Sequence, residues 1–150
     1  MLLMSSFVAS MASASLRHAR DAQALATGAH RSLDQAWHLA GFGPECSLKA
    51  SLSDDWFGRA IGHVGGLTPR LAAWLLAVDP LAHRRLGSDG AEDPLHGWSP
   101  TVRYERTGWA LDHDIDVNSD VDRAATVTID RVAALWVAGD LTSDALSHEA

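Results

Sequence analysis

At 150 residues the chain is long enough to bury a core without metal or disulfide staples, and its length fits a single domain, 1–150. One cysteine, Cys46, excludes an internal disulfide and fits a reducing cytosol. A net charge of −7 argues against a general nucleic-acid coat or an anionic membrane surface as default partner.

That charge is unevenly placed. Residues 1–86 carry eight Arg/Lys against six Asp/Glu, whereas residues 87–150 carry four against thirteen, so an anionic ligand is expected on the front half. The opening MLLMSSFVASMASA has a short apolar run, but serines break it and no Arg or Lys precedes Arg17. It is therefore read as part of the domain and not as an export signal. The longest apolar stretch, Leu71 to Val78, has the length of a buried helix, well short of the ~20 residues that span a bilayer. A cytoplasmic protein with no membrane partner is expected.

From about Phe7 to Thr27 the sequence is rich in alanine, which favours helix and lets a second helix approach closely. Arg17, His18 and Arg20 are read as its solvated face. Gly28 should close this helix, and a second begins almost at once, predicting an antiparallel hairpin. In the second helix, Arg31 to Ser53, Leu33, Trp37, Ala40, Leu48 and Leu52 recur at helical steps and form a buried stripe. Arg31, His38 and Glu45 are each seven apart and Lys49 follows by four, so all four heads are expected on one side as a charged binding ridge. Gly41, Gly43 and Pro44 interrupt the rod, and Pro44 predicts a kink.

Trp56 to Gly66 is glycine-rich and reads as a connection. Thr68-Pro69 starts a further helix that buries Leu71, Trp74, Leu75 and Val78, and Asp79-Pro80 repeats the signal for a short turn over Leu81 to Leu86. Gly87 to Thr101 is a loop that Trp98 could anchor. A short helix is expected around Arg103 to Leu111, then an acidic linker. Ser119 with Asp122 reads as an approximate capping box for a last helix running to about Ala138, which buries Val121, Ala125, Thr128, Val132 and Leu135 or Trp136, with Gly139 as its stop. The core is thus expected over about 7–138, with residues 140–150 frayed. No alternation of strand period persists, so the fold class is all-α, a four- to five-helix up-and-down bundle.

Asp112, Asp114, Asp116 and Asn118 alternate as in a calcium loop, but Val117 stands where the tight turn needs Gly and Arg123 where the bidentate carboxylate should be. The acidic run is better read as a lead into the last helix, favoured by its dipole. The eight histidines show no zinc spacing, so no metal site and no cofactor is expected. Two Arg…His pairs remain, Arg31 with His38 and Arg106 with His113, each with six residues between. Metal-free phosphodiester cleavage needs a proton-transfer group and a cation for the developing charge, roles that His and Arg fill. Such a spacing also arises by chance, and taken alone either pair reads as surface or helix-face chemistry before a catalytic couple.

Ser32 to Leu52, SLDQAWHLAGFGPECSLKASL, is similar to the second helix of the HEPN family, whose members often read D-x-A-x-x-L-A-G-Y-A-x-E-C-A-L-K-A-L. Asp34, Ala36, Leu39-Ala40-Gly41, Glu45-Cys46, Leu48-Lys49-Ala50 and Leu52 match, Phe42 replaces Tyr, and Gly43-Pro44 replaces the usual small and aliphatic pair. Leu16 to Leu25, His63, and Trp98-Ser99-Pro100 with Arg103-Tyr104 resemble the family's other segments, so the likeness touches about residues 13 to 138. The resemblance implies a HEPN-like bundle, usually dimeric, in a family of metal-independent ribonucleases and toxins paired with nucleotidyltransferase-type antitoxins, alongside members that bind nucleotides without cleavage. Active members carry Arg, four to six residues, then His near the start of the last long helix, and Arg106 and His113 are the nearest pair here.

Two functions follow. The first is a metal-independent endoribonuclease toxin or defence effector with Arg106 and His113 as catalytic residues and RNA as substrate. The second is a non-catalytic module that binds a nucleotide or a protein through Arg31, His38, Glu45, Lys49, Arg103 and Tyr104, a reading the acidic excess after residue 87 favours.

Overall fold

The computed structural model describes residues 2–52, 77–86 and 94–142. Among them every element is helical: α1 Leu2–Thr27, α2 Leu33–Ser51, α3 Pro80–Leu86, a 3-10 helix Pro100–Tyr104, α4 Trp109–Asp112 and α5 Val117–Val137. The expected all-α class is observed, and no described helix is long and apolar enough to cross a membrane.

α1 contains neither Gly nor Pro and runs from Leu2, five residues ahead of the expected start, until Gly28 N–H closes on Ala24 O at 2.7 Å. After a short turn α2 packs back along it. Ala22 and Ala26 of α1 meet Ala36 and Trp37 of α2, while Val8, Ala9 and Ala12 meet Ala50, so the hairpin is antiparallel as expected. α5 lies against both, and its pairings rise in step with those of α2. Trp37 Nε1 donates to Asp120 Oδ2 at 2.8 Å and Arg131 Nη1 donates to Pro44 O at 2.8 Å, which makes α2 and α5 parallel. These three helices form the core.

Two apolar layers fill it. The upper one joins Trp37, Ala40, Leu95, Trp98, Val117 and Val121, and the lower one Val8, Ala12, Ala50, Val132, Leu135 and Leu141. Burying a side chain such as Leu135 contributes about 2 kcal/mol. Buried hydroxyls lie between these layers and at the lower end of α2. Ser15, Ser47, Ser51 and Thr128 each donate to a carbonyl three or four residues back on their own helix, so burial leaves none of these hydroxyl protons without an acceptor. Close approach explains two glycines of α2. A Cβ on Gly41 would lie 1.9 Å from the Trp98 indole, and one on Gly43 would lie 2.7 Å from Thr128 Oγ1.

Several expectations are corrected. α2 starts at Leu33, leaving Arg31 exposed outside the helix and off the ridge assigned to it. α5 is capped by Asp116, whose side chain accepts from Ser119 N at 3.1 Å, so Ser119 lies in the first turn and is not the cap. The short helix expected over Arg103 to Leu111 divides in two, because Gly108 adopts a left-handed φ of 89° between the pieces. Of the tail expected to fray, Asp140 pairs with Arg85 at 2.8 Å and Leu141 is buried. Leu135 is buried and Trp136 exposed, which decides the alternative left between them. Asp79 caps α3 through Leu81 N and Ala82 N, in keeping with the Asp-Pro signal. The connection over 56–66, His63 and the helix from Pro69 as far as residue 76 lie outside the described residues, and Val78, expected in that helix's buried stripe, is exposed.

Candidate functional site

A cleft of about 370 Å³ opens between the first two turns of α2 and the 3-10 helix with the loop that follows it. Ser32, Asp34, Gln35, His38 and Leu39 line one wall, and Val102, Arg103, Glu105 and Thr107 the other. Its size is that of a small-molecule site.

The α2 wall follows from helical spacing, since residues 34, 35 and 38 share a face. Asp34 does more than line it. Its Oδ2 accepts from Gly108 N at 2.7 Å and its Oδ1 from Ala110 N at 2.8 Å, capping α4 from another helix and tying the opposite wall's loop to α2. His38 is half-buried, edge-on to Phe42 at 5.0 Å and stacked on Trp98 at 6.4 Å between ring centroids. Trp98 Nε1 donates to His38 O at 2.9 Å, so the indole is bonded to the backbone of the residue whose ring it faces. The loop expectation for Trp98 as an anchor is met. Across the cleft Arg103 lies over the Tyr104 ring at 4.6 Å and donates to its hydroxyl, a cation–π contact that orients the guanidinium. Tyr104 is 73% exposed.

The remaining candidates lie elsewhere. Glu45 is buried and pairs with Lys49 at 2.6 Å, so the charged ridge expected along α2 turns inward at its second half. The contact joins Lys49 Nζ to Glu45 Oε1 one turn apart on the same helix. Arg106 is exposed and bridges Asp112, three-quarters of its side chain remaining in solvent. His113 stacks on Trp109 at 4.4 Å, and its Nδ1 donates to Trp109 O at 2.8 Å. Neither Arg106 nor His113 lines the cleft, and each has a partner of its own. Of the predicted set, the cleft brings together His38 and Arg103, with Tyr104 held beside Arg103.

Sequence reasoning gave Asp34 no functional role and passed over Gln35, Glu105 and Thr107. The i, i+4 spacing of Asp34 and His38 was a readable signal for one face of a helix, whereas the approach of residues 102–107 to that face carries no local signature.

Two further groups shape the electrostatics near α2. His18 of α1 rests on Phe42 at 5.4 Å, and burial, then Arg17, hold its pKa below the ordinary 6.5 against the opposing pull of Asp21 and Glu45. Burial, then Glu45, push the Cys46 thiol up, so it is protonated at neutral pH and a poor nucleophile. No cluster of metal-binding side chains occurs among the described residues. Chemically the cleft offers one imidazole for proton transfer, one guanidinium for an anion, and amide, hydroxyl and carboxylate groups for polar substituents. No family model, curated protein or solved structure matches the chain.

Proposed function

We propose that this chain is a HEPN-like module that binds a nucleotide in the cleft between α2 and the 3-10 helix, without turnover. The observation that carries the reading is the meeting of His38 and Arg103 on opposite walls of one cleft of small-molecule size. Further support comes from the separate engagements of Arg106 and His113, which leave the pair nearest the family's catalytic motif outside that cleft. The resemblance of residues 32–52 to the family's second helix supports the HEPN-like part of the reading. Titration calorimetry with nucleotides tests the reading: His38→Ala and Arg103→Ala should each weaken binding tenfold or more, and no binding by the wild-type chain rejects it.

A metal-independent endoribonuclease is the second reading. It is favoured by the same geometry, because an imidazole and a guanidinium that share a cleft can reach one phosphate. Structured and tRNA-like RNAs incubated with the protein separate the two readings, since cleavage lost in His38→Ala replaces binding by catalysis. The homodimer and the nucleotidyltransferase-type partner implied by the resemblance belong to this proposal as well, and sedimentation velocity checks the dimer.

A further inference from the structure

The charges of the cleft do not suit every nucleotide equally. Its described lining holds one fixed cation, Arg103, and two carboxylates, Asp34 and Glu105, with His38 as a second positive charge only when protonated. The sole lysine of the chain, Lys49, is committed to Glu45 and lies away from the cleft. Arg106, the nearest arginine along the chain, is bridged to Asp112. The polyphosphate cradle that a nucleoside triphosphate needs, several cations or a glycine-rich loop of inward N–H groups, has no counterpart among these residues.

One phosphoryl group is a different matter. Arg103 has five N–H donors in a planar fork, and the hydroxyl of Tyr104 takes one of them. The rest suit a single phosphate, while Gln35, Ser32 and Thr107 offer neutral donors and acceptors to sugar hydroxyls or a base edge, and Leu39 and Val102 offer apolar contact to a base plane. The carboxylate of Asp34 is fixed by two backbone N–H groups and cannot swing away from a second phosphate. Glu105 adds to the repulsion from the other wall.

We infer that the cleft selects a nucleoside monophosphate over nucleoside polyphosphates and over RNA, with Arg103 as the residue that binds the phosphate and Asp34 and Glu105 as the residues that reject further ones. This inference rests on the nucleotide-binding reading and narrows it to a ligand class.

The test is a calorimetric series on the intact chain without added magnesium: adenosine, guanosine, cytidine and uridine, their 5′-monophosphates and 5′-triphosphates, and a short oligoribonucleotide. For the preferred base, the monophosphate should bind at least tenfold tighter than the triphosphate and at least tenfold tighter than the nucleoside. Glu105→Gln should narrow the gap between mono- and triphosphate, and Arg103→Ala should bring the monophosphate down to the level of the nucleoside. Both side chains are at the surface, so the variants should fold. A triphosphate or oligonucleotide bound as tightly as the monophosphate overturns the inference and leaves nucleotide binding intact. A nucleoside bound as tightly as its monophosphate removes the role given to Arg103 and overturns it too. Absence of binding across the whole series rejects the nucleotide-binding reading itself.

Discussion

The two halves of α2 carry ionisable side chains into opposite surroundings. His38, in the first half, lines a cleft because the element across from it is a short 3-10 helix with its loop and not a long helix. Glu45, two turns further on, meets continuous helix on both sides, and it is buried with Lys49 as counter-ion. Helical register puts both residues on related faces; what lies opposite decides whether a charge meets solvent, a ligand or another charge. A buried ion pair of the second kind mostly offsets its own desolvation, whereas a half-buried imidazole that lines a cleft borders the space a ligand would enter.

The largest effect should come from breaking the buried pair. Lys49→Ala leaves the Glu45 carboxylate buried without its ammonium partner and should cost about 3 kcal/mol in urea unfolding. His38→Ala should cost about 1 kcal/mol because the side chain borders open space. Equal losses would break the contrast between the two halves. Next in size is Gly41→Ala. A Cβ there overlaps the Trp98 indole, which must move and stretch its bond to His38 O, at a cost of about 2 kcal/mol with altered tryptophan near-UV dichroism. An unchanged spectrum would show that Trp98 does not lean on α2 at that point.

Asp34→Asn sharpens the contrast on the cleft side. The amide has one acceptor oxygen in place of two, so either Gly108 N–H or Ala110 N–H loses its partner, at about 1 kcal/mol. Hydrogen exchange at those two amides should quicken while the lower core is unaffected. The smallest effect is a pH dependence from His18. Its folded pKa lies below the unfolded value, so its contribution to stability is full above about pH 6.5 and falls as the pH drops from there through the lowered folded pKa, because the unfolded chain takes the proton first. His18→Leu should therefore flatten the decline in urea midpoint between pH 7 and pH 5; an unaltered decline would assign it to other groups.

Much of the helical layout was readable, for local reasons. The absence of Gly and Pro up to Thr27, the Asp-Pro start at Asp79 and the glycine after Ala138 act within a turn of where they stand. Caps were less legible when several candidates adjoined. Asp116 and Ser119 both carry cap oxygens, and the helix took the earlier one, whose carboxylate reaches the Ser119 amide. In the candidate site, His38, Arg103 and Tyr104 were named from sequence and found at one cleft or beside it, but Arg106 and His113 were grouped by their spacing and its likeness to a family motif. Spacing does not record that Asp112 and Trp109 lie near enough to engage them.

Composition, periodicity and capping signals by themselves determined that this chain is helical, where its long helices end, and which face of each is apolar, because those properties depend on neighbours within about one turn. Tertiary structure alone decided that Trp98 fills the groove left by Gly41, that Asp34 clasps a loop more than seventy residues away, and that Glu45 is enclosed while His38 is not. Those outcomes depend on which distant surfaces come to lie opposite one another, and no local pattern encodes that meeting.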